Sequence, residues 1–391
     1  AKALSPGHAP QKGHVLRLCM EDQAIDLYFT HKNAENDWEI MAVEFVFAAE
    51  QPVAAGNSYA ELLARQAEAH QQEVAVSKGT YTEEKIVVGE GEWALPGTLT
   101  LPDIASADTP VPAVVLVHGS GPNDRDETLG QTKLFADIAH AFAEQGIAVI
   151  RYDKRTYVYP QQMAALEAIT VEQETVEDAV LALKLLRRDQ RIDKSRIVLL
   201  GHSMGGMLAP RIAYSANKGF CAMILASATP KALLDIIIAQ QKAAIAALPQ
   251  EQQQTYLDQL APIIEVCGEL SEGSAKQARE MTLFGVNGYY FYEMEQEKYD
   301  PISLIEKLKL PTLVINGGSD FQVSLEDGYY AYENALLGQP YMAFRLYKNL
   351  NHVLMEYTGE EAYRGSAREY DTPAQLDAQA AQTMIDFIKK Q

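Results

Sequence analysis

Cysteine is scarce in this chain: only Cys19, Cys221 and Cys267 occur among 391 residues. An odd number at wide spacing gives neither a disulfide framework nor a thiolate zinc site. Cys221, in Phe220-Cys-Ala-Met-Ile-Leu225, reads instead as a buried strand residue. Basic residues are also few, 33 Lys and Arg against 53 Asp and Glu, for a formal charge of −20. That balance argues against nucleic acid or an anionic membrane surface as a partner, and suits neutral small-molecule substrates. No apolar run reaches the ~18 residues of a membrane-spanning helix. Gly119-Ser-Gly121 is not followed by Gly-Lys-Ser/Thr, and no G-x-G-x-x-G occurs there, so it is not a phosphate loop. The chain begins at Ala1 rather than Met, as after trimming or processing. A removed export signal is compatible with that start, with a cytoplasmic location slightly favoured. At 47% hydrophobic, the sequence has material for a large core and an extra module.

The organisation follows from periodicity. Residues 1–12 are polar, with Pro and Gly. His14–Met20, Ala24–Thr30 and Trp38–Phe47 read as an antiparallel meander, and Ser58-Tyr-Ala-Glu61 as a capping box opening a helix to about Glu73. Residues 1–78 are therefore expected to form a small α+β accessory module, and 79–391 the main domain. Lys85–Val88 and Gly97–Leu101 open the main sheet. Strands at Val114–Val117, Ala148–Tyr152, Ile197–Leu200 and Met223–Ala226 then alternate with helices at Lys133–Gln145, Val176–Arg188 and Met204–Ser215. Continuous apolar strands alternating with amphipathic helices imply an α/β fold, a mostly parallel sheet covered on both faces. From about 229 to 309 the alternation stops. Helices are expected at Ala232–Ala247, Glu251–Val266 and Ser274–Met281, with no strand until Thr312, as in an inserted helical cap. Its aromatic run Gly288-Tyr-Tyr-Phe-Tyr292 either lines a pocket, with Tyr289 and Tyr290 as substrate contacts, or packs the cap.

Gly201-His-Ser-Met-Gly205 stands between the apolar run Arg196–Leu200 and a helix start. A serine on such a turn needs strained backbone angles, and small residues two places either side let the chains pass. Ser203 is thus a candidate nucleophile, provided a base can take its proton. Of eight histidines only His352 follows Ser203, in the polar loop after Met342–Tyr347. Several acids are candidates. Asp320, just past the strand Thr312–Asn316 and its Gly-Gly turn, is best placed. Glu326 and Asp327 read as a helix N-terminus beginning at Ser324, and Asp300 as a helix cap. Asp320 would hold one imidazole nitrogen while the other accepts the serine proton. The strand Val114–Val117 ends in His118-Gly-Ser-Gly121, whose backbone amides can face a developing oxyanion. The donors assigned are the amides of Ser120 and Met204, with Gly121 as the alternative to Ser120 and a candidate substrate contact. His118 and His202 read as turn or packing residues. The charges at Asp124-Arg-Asp126 and Asp153-Lys-Arg155 either shape the site mouth or brace loops.

From about Glu92 onward the chain resembles bacterial serine esterases of the α/β-hydrolase superfamily, nearest the dienelactone-hydrolase-like and serine-aminopeptidase-like group. The residues that carry the likeness are Trp93–Pro102, His118-Gly-Ser-Gly-Pro-Asn-Asp-Arg-Asp-Glu127, Arg151-Tyr-Asp-Lys-Arg155, Gly201–Gly206 and the loops of Asp320 and His352. One departure is Thr156-Tyr-Val-Tyr159, where such enzymes often continue with Gly after Arg. The resemblance implies Ser203, Asp320 and His352 as a triad that cleaves carboxylic esters, with short-acyl or aryl esters the expected class and no metal or organic cofactor. A peptidase or thioesterase on the same machinery, or a binding protein on the scaffold, are the alternatives. A homo-oligomer is compatible with the sequence. An aspartate-nucleophile hydrolase is not, because the elbow carries Ser203.

Overall fold

The computed structural model describes residues 80–391 apart from 247 and 285. It also describes the backbone of His14–Met20, Gln23–Lys32, Asp37–Phe47 and Val76–Ser77. The capping box expected at Ser58 lies outside the described residues. The chain divides into two compact units: residues 1–73, 166–169 and 268–293, and residues 74–165, 170–267 and 294–391.

In the first unit the expected meander forms as two antiparallel pairings, His14 opposite Phe29 and Gln23 opposite Phe47. Ser274 caps the helix Ala275–Glu280, and Gln277 returns the bond to the Ser274 amide, a full capping box. The expectation of no strand before Thr312 is corrected here: Thr282–Leu283 pairs antiparallel with Val286–Asn287. A hairpin with two-residue strands is too short to show an alternation in sequence. The aromatic run becomes the helix Tyr289–Met294.

The second unit is built on a nine-stranded sheet. In chain order its strands are β1 (Val76–Ser77), β2 (Tyr81–Val88), β3 (Leu95–Pro102), β4 (Val111–Val117), β5 (Ala148–Tyr152), β6 (Ile192–His202), β7 (Ala222–Ala226), β8 (Thr312–Gly317) and β9 (Met342–Tyr347). Their order across the sheet is β9-β8-β7-β6-β4-β5-β3-β2-β1. Neighbours from β5 to β9 are parallel, and β5-β3, β3-β2 and β2-β1 are antiparallel. After β5 the chain returns past β4 to β6, so strand order reverses about β4. Ligand sites in such sheets lie at this switch point, beyond the C-terminal strand ends.

Alternate residues of β4 serve opposite faces. Val114 and Leu116 pack with Phe135, Ile138 and Phe142 of the helix Leu134–Ala143 and with Met384 and Ile388 of the helix Ala378–Lys389. Each such buried side chain contributes about 1.5–3 kcal/mol. The other face is covered by the helices Glu177–Arg188 and Met204–Ser215. After Thr229 the expected helices form as Leu233–Ala246 and Gln250–Glu272. Asp300 caps Pro301–Leu308, accepting the Ser303 amide at 2.7 Å. Ser324–Asp327, by contrast, is not a helix start: the helix begins at Tyr329. Ser324 Oγ donates to Asp327 Oδ2 at 2.7 Å and accepts the Asp327 amide, forming a local turn that competes with helix.

Candidate active site

β6 runs straight into Ser203, which stands at φ 52° and ψ −119° before the helix Met204–Ser215. Few non-glycine residues adopt such angles, so the neighbours must enforce them. The Ser203 amide donates to the Ala226 carbonyl of β7 at 2.9 Å, and the Ser203 carbonyl accepts the Met207 amide at 3.0 Å. A Cβ on Gly201 would overlap the Gly205 carbonyl, and one on Gly205 the Val117 carbonyl. Only hydrogen fits at either place. Met204 is the first residue of its helix, so its amide stands at the positive end of the helix dipole.

Asp320 and His352 follow β8 and β9. Their loops are laced together: the Gly318 amide donates to the Tyr347 carbonyl at 2.7 Å and the Ser319 amide to that of Leu350 at 2.9 Å. A Cβ on Gly317 would overlap the Leu350 carbonyl, which explains the Gly-Gly turn. His352 Nδ1 meets Asp320 Oδ2 at 2.8 Å, with side-chain exposures of 2% and 0%. The other carboxylate oxygen accepts the amides of Gln322 at 2.8 Å and Val323 at 2.9 Å. A carboxylate accepts, so Nδ1 carries the proton and Nε2 is left as the basic nitrogen.

His202 ties this pair to the elbow. Its Nε2 donates to the His352 carbonyl at 3.1 Å, and the two rings lie 4.8 Å apart. Its Nδ1 lies 3.1 Å from Glu127 Oε2, off the straight hydrogen-bond line. Both nitrogens therefore face acceptors, as suits an imidazolium. Burial opposes charge on both partners, but Glu127 raises the His202 pKa, and His202 with the Gly119 amide lowers that of Glu127. The sequence reads His202 as a packing residue of the elbow; the ring is indeed buried, but its polar contacts reach Glu127 and His352, far along the chain, rather than its neighbours. His118 is also buried, its ring against Phe135 and edge-on to Tyr152, and burial lowers its pKa.

The loop after β4 lies against the serine: a Cβ on Gly119 would sit 3.2 Å from Ser203 Cβ. Asn123 Nδ2 donates to the carbonyls of Gly119, Ser120 and Gly121 at 3.2, 3.0 and 3.3 Å. Three consecutive carbonyls thus turn towards one side chain. Gly121 stands at φ 84° with no atom within 4 Å of a built Cβ. Tyr289 and Tyr290, the expected substrate contacts, belong to the other compact unit. There Arg279 stacks 3.5 Å over Tyr289, and Tyr290 meets Phe291 edge-on.

The charged clusters brace loops. Arg125 forms a two-point pair with Asp153, at 2.9 and 2.7 Å. Arg151 joins Asp126 and Glu83, and Arg155 joins Asp178. Sequence reasoning missed Glu127, and it named Lys154 only among the charges that shape the site mouth or brace loops. Glu127 accepts the Gly119 amide at 2.7 Å, and Lys154 Nζ donates to the Gly119 carbonyl at 2.9 Å. The available signal was a lysine two residues past an apolar strand, and a dense run of charges beside the glycine turn. Among the described residues no cluster of potential metal ligands occurs, and no helix is long and apolar enough to cross a membrane.

A serine pinned at positive φ between a parallel strand and a helix, on a sheet whose order reverses beside it, defines the class: this is an α/β-hydrolase. Comparison with known proteins then gives the family. The chain belongs to the family described as serine aminopeptidase, S33, whose model matches residues 108–358. It is 36% identical over 282 residues to esterase EstD of Thermotoga maritima, covering 71% of this chain and 61% of that protein. Among solved structures, the Pyrococcus horikoshii acylaminoacyl peptidase is similar over 97% of this chain and 50% of its own, at 15% identity and a TM-score of 0.46. A Pyrococcus furiosus esterase is similar over 87% of this chain and 96% of its own, at 16% identity and a TM-score of 0.46.

Proposed function

We propose that the protein hydrolyses carboxylic esters of small molecules through an acyl-enzyme on Ser203. His352 Nε2 takes the Ser203 hydroxyl proton as Oγ bonds to the ester carbonyl carbon. The carbonyl electron pair moves onto oxygen, held by the amides of Ser120 and Met204. Collapse expels the alkoxide, which leaves with the proton from His352. Water then attacks the acyl-enzyme by the same steps and frees the acid and Ser203. Asp320 orients the ring and stabilises its cationic form.

The observation that carries this reading is the buried Asp320–His352 contact of 2.8 Å, tied to the residue before Ser203 by the His202 bond at 3.1 Å. The name of the Thermotoga maritima relative favours an ester as substrate. The family description favours a second reading, peptide cleavage by the same acyl transfer. Parallel kcat/KM measurements on p-nitrophenyl esters of graded acyl length and on aminoacyl p-nitroanilides separate them. Turnover of short-acyl esters with anilides far slower supports the ester reading; anilides turned over as well as esters would overturn it.

A further inference from the structure

Gly119 is held by both of its polar groups. Its N–H donates to Glu127 Oε1 at 2.7 Å, and its carbonyl accepts from Lys154 Nζ at 2.9 Å. Lys154 lies two residues past the end of β5, its side chain 2% exposed, with Glu174 Oε1 at 2.8 Å as counter-charge. Its own amide donates to the Asn123 carbonyl at 3.0 Å, which docks the lysine backbone on the same loop. An ammonium removed from water this fully is costly unless it is paired and hydrogen-bonded, and here Glu174 and the Gly119 carbonyl do both.

The carbonyl that Lys154 grips belongs to the peptide unit whose N–H is that of Ser120. No cis peptide occurs among the described residues, and in a planar trans peptide the C=O and N–H point in opposite directions. Anchoring the oxygen on Lys154 therefore aims the Ser120 N–H the other way. A cation on the oxygen also draws electron density through the delocalised amide and makes that N–H a stronger donor. Gly119 Cα lies beside Ser203, because a Cβ built there would fall 3.2 Å from Ser203 Cβ.

We propose that Lys154 is a positioning residue of the oxyanion site, acting through the Gly119 carbonyl to orient and polarise the Ser120 N–H. Glu174 holds the ammonium in place, and Glu127 fixes the preceding peptide. The inference rests on the reading of Ser203 as nucleophile and Ser120 as oxyanion donor.

The test compares Lys154→Met with wild type, alongside Lys154→Met/Glu174→Gln, which leaves no buried carboxylate without its cation, and Lys154→Arg. Readouts are kcat and KM on a p-nitrophenyl ester, affinity for an alkyl boronic acid that forms a tetrahedral serine adduct, and the acyl-enzyme carbonyl stretch by infrared difference spectroscopy. Removing a whole oxyanion donor costs about 10²–10³ in kcat; losing only its alignment and polarisation is expected to cost about 10–100-fold. KM should stay near wild type, boronate affinity should fall with kcat/KM, and the carbonyl stretch should move to higher frequency. The arginine variant should recover part of the loss. If the single variant does not fold, the double variant decides. A folded variant with wild-type kcat, or a rate loss without the carbonyl shift, overturns the proposal. Wild-type enzyme that takes no fluorophosphonate at Ser203 overturns the underlying reading instead.

Discussion

His202 Nε2 donates to the backbone carbonyl of His352 across 3.1 Å, although 150 residues separate them. The residue before the elbow serine thus holds the loop of His352, the proposed base, and Glu127 holds His202 from its other side. His202→Ala leaves Glu127 buried without its cation, so a loss of about 3–5 kcal/mol is expected. His202→Ala/Glu127→Gln should recover part of it. A double-mutant cycle by urea unfolding measures this, and additive losses would show that the two residues do not act as a pair.

Asp320→Asn removes the acceptor that fixes the imidazole tautomer. The expected fall in kcat is on the order of 10⁴ with the fold intact, by analogy with the same change in other serine triads. The Asp327 carboxylate bonds Ser324 Oγ within its own turn, and its backbone carbonyl accepts from Thr229 Oγ1 at 2.7 Å, a bond that a side-chain change leaves in place. Asp327→Asn should therefore change kcat less than about twofold, as for ordinary surface substitutions. The reverse ranking in ester turnover would move the acid away from Asp320.

The glycines of the elbow differ sharply from the glycine of the neighbouring loop. A Cβ on Gly205 meets the Val117 backbone oxygen, which cannot move without breaking β4 from the elbow. Gly205→Ala is expected to cost more than about 3 kcal/mol or to prevent folding. Gly121 has open space around it but φ 84°, so Gly121→Ala should cost only about 1 kcal/mol, from backbone strain. Similar melting temperatures for the two variants would contradict the packing described for the elbow.

Much of the layout of the candidate site was legible because its signals are local. A strand, a small-residue turn and a helix start are adjacent at Ser203, and the single later histidine left one base. Asp320 stood at a strand end with two glycines before it, and the structure places its carboxylate on that histidine. The contacts of Glu127 and Lys154 with Gly119 were not legible, because the first needs the loop after β4 to fold back on itself and the second reaches that loop from beyond the end of β5. Ser324–Asp327 misled for the opposite reason: the same residue types cap helices or close turns, and here the two side chains bond each other.

Acid stability should report the braces of the antiparallel edge. The bond from His140, opposed by burial and reinforced by Arg151, pulls the Glu83 carboxyl down to about 2 from 4.5. A depressed acid adds stability that is full above its unfolded pKa and is lost as pH falls through the folded one. Glu83→Gln should thus lower stability at pH 6 by about 1–2 kcal/mol, discounted for partial exposure. The gap to wild type should close between pH 4.5 and about 2. Melting temperatures of both proteins across that window check it; a gap of equal size at both ends would contradict it.

The most direct measurement of the nucleophile is mass spectrometry after incubation with a fluorophosphonate. One adduct per chain, on the peptide containing Ser203, is the expected result, with no adduct and almost no ester turnover in a folded Ser203→Ala variant. No adduct on active wild-type protein, an adduct on another residue, or ester turnover that survives in Ser203→Ala would contradict the assignment.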